Sequence, residues 1–170
     1  MIHYFETSNE KSKVFEEAFA IKYNKEHQKK KIIWLNTPYD ADYLIKTDKT
    51  EFKAEIKFDF KHYTNYFFED FSNLETQRIG GVWSAQKYGC KYFLYLFLSP
   101  SNPNQYSCSC FLVDELIQWL NEHRSQYRYG NAVNKGEGNN PNYNTGGIIV
   151  PVLDLRDKSF VKIRRVELQN

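Results

Sequence analysis

Cysteine is scarce in this chain. Cys90, Cys108 and Cys110 are the three present among 170 residues. An odd count with no even framework excludes a disulfide-stapled secreted scaffold and points to reduced thiols. Cys108-Ser109-Cys110 lacks the second pair that a structural zinc site needs. The histidines, His3, His27, His62 and His123, fall at no ligand spacing. Long apolar runs are missing too. The longest, Tyr92 to Leu98, is far too short to cross a bilayer. Met1 to Lys11 has no apolar stretch behind a basic start, so no signal peptide is expected. A cytoplasmic protein without a membrane span is the expectation. A large charge of one sign is also absent, because 23 basic and 21 acidic residues leave a formal net charge of +2. The total does not announce a nucleic-acid binder, but local clusters matter more than the sum. Such clusters occur at Lys29-Lys30-Lys31 and at Lys162, Arg164 and Arg165.

What is plentiful is aromatic: 13 Tyr, 13 Phe and 3 Trp. The simplest reading is an aromatic core; stacking on nucleobases would need exposed rings. The length suits one domain, expected over residues 1–170 with a real core.

The most informative stretch is Pro38 to Lys57. From Glu51 to Phe60 the residues Phe52, Ala54, Ile56, Phe58 and Phe60 alternate with charged ones. A period of two predicts a strand with one dry and one charged face. Tyr43-Leu44-Ile45 precedes it as a shorter apolar run, and Thr47 to Thr50 has turn composition. A hairpin centred on Asp48-Lys49 sets Thr47 against Thr50, Glu51 against Lys46 and Glu55 against Asp42. Opposed side chains on one face have Cβ atoms about 4.5–5.5 Å apart, and opposed like charges destabilise a sheet. A divalent cation relieves that conflict: magnesium takes one or two carboxylates, with waters and phosphate oxygens completing its shell. Lys57 lies one pleat along on the Glu55 face and can steady phosphate charge or help deprotonate a bound water. The triplets Glu51-Phe52-Lys53 and Asp59-Phe60-Lys61 have the same composition. Only Glu55 falls opposite an aspartate.

Pro38, Asp42, Glu55 and Lys57 together resemble the motif of the PD-(D/E)XK nuclease superfamily, which includes restriction endonucleases and Holliday-junction resolvases. The resemblance covers roughly the first hundred residues. It implies an α/β fold of restriction-endonuclease type, a central mixed sheet flanked by helices. It also implies a magnesium-dependent (or manganese-dependent) endonuclease acting on nucleic acid, most often DNA. Asp42 and Glu55 would be metal ligands, joined by the Ile56 carbonyl, and Lys57 would be the catalytic lysine. The sequence departs from the compact Pro-Asp pair, leaving Asp40 and Asp42 both open. The leading helix of such enzymes often sends a glutamate to the metal. Glu17 is the first choice, on the flank of a stripe of Val14, Phe15, Ala18, Phe19 and Ile21, and Glu16 the second. A basic residue near the scissile phosphate corresponds to Lys87. Related phage-type nucleases carry a Thr-Asn turn and then a strand with a glutamate, matched here by Thr64-Asn65 and Glu69. Enzymes that cut two strands are commonly homodimers. The alternatives are a non-catalytic nucleic-acid-binding protein of the same fold, and an interaction protein whose hairpin charges are only a solvated face.

Elsewhere, Ser8 or Asn9 is expected to cap a helix to about His27. Ile32 to Leu35 and Tyr66 to Phe71 read as strands, the latter antiparallel beside the Glu51 strand. Ser84 to Tyr88 reads as a short helical piece. Tyr92 to Leu98, apolar throughout, reads as a central strand buried on both faces. Tyr106 to Val113 is a strand, and Asp114 caps a helix to about Tyr127. Residues 130–147, rich in Gly and Asn, read as a long flexible loop whose Lys135 can touch phosphate. Ile148 to Leu153 and Phe160 to Leu168 close the chain as strands, the last at a sheet edge.

Overall fold

The alternation around Ile56 is realised as a strand over Glu51–Asp59, and the chain is built outward from it. The structure, a computed structural model, describes residues 2–3, 6–27, 29–35, 40–59, 64–99, 102, 105–134 and 142–167, with side chains from residue 12 onward. In chain order the elements are β1 (Ile2–His3), α1 (Glu6–Glu26), β2 (Lys30–Trp34), β3 (Tyr43–Thr47), β4 (Glu51–Asp59), β5 (Asn65–Asn73), β6 (Arg78–Ile79), α2 (Gly81–Lys87), β7 (Cys90–Leu98), β8 (Gln105–Leu112), α3 (Val113–His123), β9 (Arg128–Asn134), β10 (Tyr143–Pro151), α4 (Val152–Leu155) and β11 (Val161–Glu167).

The strands form two sheets. The larger has the order β11-β8-β7-β4-β3-β2 and the smaller β1-β9-β10-β5-β6. In the larger sheet β4 and β7 run parallel while the other neighbours are antiparallel. The molecule is therefore α/β with a mixed sheet and flanking helices. Strand β7 lies between β4 and β8 and is buried from Phe93 to Phe97. Its unbroken apolar run is what a strand covered on both faces requires.

One face of the larger sheet packs on α1, bringing Phe19 and Ala20 against Tyr43, Ile45, Ala54, Ile56 and Leu96. The other face meets the smaller sheet with α2 and α3, where Phe93, Tyr95 and Phe111 pack with Tyr66, Phe68 and Ile148. The aromatic richness is largely absorbed here. The Tyr66 ring meets Tyr95 and Phe111 edge-on, each at 5.2 Å between centroids, a favoured aromatic geometry.

Three expectations are corrected. Strand β5 does not pair with β4. It joins β10 and β6 in the other sheet, because β7, apolar on both faces, takes the place beside β4. Most of the supposed loop at 130–147 is strand. Antiparallel β9 and β10 pair from Tyr143–Asn134 to Ile149–Arg128. Glycine and asparagine hid a half-exposed hairpin with no apolar alternation to announce it. Lys135 lies outside the described residues, as does Pro38. Finally, Asp114 is not the cap of α3; Leu112 holds that position, and Asp114 in the first turn accepts a hydrogen bond from Gln86 at 3.0 Å.

Candidate metal and catalytic site

The hairpin register falls as the turn composition predicts. Tyr43 faces Ala54, Leu44 faces Lys53, Ile45 faces Phe52 and Lys46 faces Glu51. A local device holds it: the Thr47 hydroxyl accepts from the Thr50 N–H at 2.9 Å, and the Thr47 N–H donates to the Thr50 carbonyl at 2.8 Å. Lys46 and Glu51 form a surface ion pair at 2.9 Å, so that triplet is a solvated face.

One step before β3, Asp42 is turned toward β4. The Ile56 N–H donates to its Oδ2 at 2.8 Å, and Glu55 lies close enough for the charge of Asp42 to be felt there. The Asp42 carboxylate is thus held by the backbone of β4. In an extended strand a residue's N–H and C=O point to the same side. The Ile56 carbonyl therefore lies along the same edge as the Asp42 carboxylate, where β3 pairing has already ended.

The electrostatics are adverse without a cation. Burial, then the charge of Glu16, raises the pKa of Asp42 against the lowering effect of the Ile56 N–H. Burial, then Asp42 and Glu16, raises that of Glu55 further above the usual carboxylate range. Even Cys90 beside them is affected: burial first, then Glu55 and Asp42, push its thiol up to about 12. Glu55 Oε2 is buried with no hydrogen-bond partner. An orphaned, desolvated oxygen next to a second carboxylate fits a hard divalent cation, which takes oxygen ligands. Among the described residues no group of three His, Cys, Asp or Glu side chains forms a metal cluster. The oxygens that could hold such an ion are the two carboxylates and the Ile56 carbonyl.

The two ambiguities of the sequence are separated here. Asp40 is bound by Lys53 at 2.5 Å and by the Ala41 N–H, which hold its carboxyl below the usual range. It is neutralised at the surface, and Asp42 is the inward aspartate. On α1 the preference reverses. Glu17 is exposed, whereas Glu16 accepts from the Trp34 indole at 3.1 Å and its charge is felt by both Asp42 and Glu55. Burial raises Glu16 itself above the usual range. The stripe assumed for α1 was misphased: Val14 and Ile21 are 66% and 63% exposed, while Phe19 and Ala20 are buried. The signal was in the spacing Glu16, Ala20, Asn24, whose side chain clamps both the N–H and the carbonyl of Ile32 in β2.

Lys57 projects between the two sheets. It forms an ion pair with Glu69 of β5, and its ammonium lies 5.3 Å from the Phe67 ring centroid and 5.8 Å from that of Tyr95. The sequence left the partner of Glu69 open between the metal site and a lysine; it is the lysine of the motif itself. Lys87 is exposed in the last turn of α2, three residues before Cys90.

Comparison with protein-family models, curated proteins and solved structures finds no match to this chain.

Proposed function

We propose that the chain is a divalent-cation-dependent phosphodiester hydrolase, an endonuclease acting on DNA, of the PD-(D/E)XK kind that its motif resembles. The observation that carries this reading is the pair itself: Asp42, held by the Ile56 N–H, beside Glu55, whose Oε2 is buried and unpartnered. A structural face has no use for that arrangement, which costs stability in the absence of a cation.

Asp42, Glu55 and the main-chain oxygen of Ile56 would hold magnesium or manganese. A bound divalent cation supplies a water of lowered pKa and neutralises charge on phosphate. The protein does the rest. Glu69 and the two rings hold the Lys57 ammonium on the Glu55 side of β4, a fixed positive charge where negative charge grows on the phosphate. Glu16, anchored by Trp34, adds a third negative charge to the field of the pair. Lys87, exposed at the end of α2, would contact the phosphate backbone, and cutting of both strands would take two copies of the chain.

The test is cleavage of plasmid, linear duplex, four-way junction, single-stranded DNA and RNA with magnesium, manganese or EDTA. Wild type and Lys57→Ala are run side by side. Metal-dependent cutting that falls by about 100-fold or more in Lys57→Ala, the scale of losing an electrostatic catalytic group, is expected. Cutting that survives EDTA, or that Lys57→Ala leaves intact, would overturn the assignment. Binding without cutting would move the chain to the non-catalytic reading.

A further inference from the structure

The larger sheet is six strands wide, yet α1 covers only part of its outer face. Beyond the C-terminal half of α1, toward β11, lies a cavity of about 560 Å³. It is on the opposite face of β4 from Glu55 and Lys57, because its floor includes Phe52 and successive side chains of a strand alternate. Its size falls in the range of about 300–1,000 Å³ usual for small-molecule sites.

Its lining has two chemistries. The walls carry rings: Tyr23, half-buried and stacked on His27 at 4.1 Å, and Phe52 and Tyr92, packed edge-to-face at 5.1 Å. The rim carries cations: Lys30, Lys162 and Arg164 are exposed and, among the described residues, have no acidic partner. Glu26, the acidic residue in the lining, is paired with Lys22 at 3.1 Å. Strand β11 places Lys162 opposite Cys110 and Arg164 opposite Cys108, so both side chains stand over the cavity floor.

A second copy of the chain would bring like charge to like charge at this rim. The complement is an anion with a flat apolar body. We propose that this cavity is a second ligand site, which takes a nucleoside monophosphate: the base between Tyr23 and the Phe52–Tyr92 wall, the phosphate on Lys162 and Arg164. Base–aromatic stacking tolerates any base, because every base has a π-face. The phosphate is met by charge-assisted donors, the stronger kind of hydrogen bond. The site stands whether or not the Asp42–Glu55 pair cleaves nucleic acid.

The experiment is calorimetric titration of the whole chain in EDTA, so that no cation engages the carboxylate pair. The probes are dAMP, inorganic phosphate and dodecanoate. Saturable dAMP binding is expected, with both other probes at least about tenfold weaker, since each lacks one half of the complementarity. The Lys162→Ala/Arg164→Ala double variant, at exposed edge-strand positions, is expected to weaken dAMP by about tenfold or more, the loss that follows removal of a charge-assisted bond. Tyr23→Leu is expected to weaken dAMP while leaving phosphate binding unchanged. No dAMP binding overturns the proposal. So does phosphate binding as tight as dAMP, dodecanoate binding as tight as dAMP, or a double variant that binds like wild type.

Discussion

At the scale of single residues, two carboxylates carry charge that is unwelcome in the cation-free protein. Asp42 and Glu55 both have pKa values raised above the ordinary range, chiefly by burial and then by neighbouring acids. The folded state therefore holds protons that the unfolded chain has already released. Stability that is full below the unfolded carboxylate value, about pH 4, falls as pH rises through the raised values. In EDTA, wild type is expected to lose stability across that range. Asp42→Asn, which can still accept from the Ile56 N–H, is expected to lose less and to be more stable at pH 8 by on the order of 1 kcal/mol. Urea unfolding of both proteins at several pH values checks this, and a variant that is less stable at every pH would refute it. Strand period and turn position set Asp42 against Glu55 with Lys57 one pleat along, which is why these three stand out in the sequence. Glu17 stood ahead of Glu16 on a stripe through Val14 and Ile21, and both of those face solvent. A one-residue choice on a helix is a matter of phase, and α1 has apolar residues on both sides of the true stripe.

At the scale of elements, local chemistry was legible and long-range pairing was not. The β3–β4 hairpin, the buried β7, the strand β8 and the edge strand β11 follow from period, turn residues and apolar continuity. Nothing in residues 65–73 states which strand they pair with, so β5 was expected beside β4. Its true place gives Lys57 its partner. Glu69 is held by a close approach of α2: Gly81 has φ +51, and a Cβ there would lie 2.8 Å from the Glu69 carbonyl oxygen. From the other side of β5, a Cβ on Gly147 would lie 2.9 Å from the Glu69 Cα. Backbone cannot move aside as a flexible side chain does. Gly81→Ala is therefore expected to destabilise the fold by about 1–3 kcal/mol, with strain and close contact acting together. The measurement is the urea midpoint; an unchanged midpoint would contradict the packing described here.

At the scale of the whole molecule, two sheets and α1 divide the labour. The face of the larger sheet toward the smaller one carries Glu55 and Lys57, and the face toward α1 carries the apolar core and the basic-rimmed cavity. No helix among the described residues is long and apolar enough to cross a membrane. The even overall charge conceals this division, since Glu55 lies on the face toward the smaller sheet while Lys162 and Arg164 stand on the cavity side. Composition reports only the sum. The central claim is that the Asp42–Glu55 pair exists to hold a divalent cation, and direct titration with manganese at pH 8, followed by the electron paramagnetic resonance of the free ion, tests it most directly. The account predicts saturable binding by wild type that is lost, or weakened by at least about tenfold, in both Asp42→Asn and Glu55→Gln and retained in Asp40→Asn. Equal binding by wild type and both pair variants, or none by wild type, would contradict it.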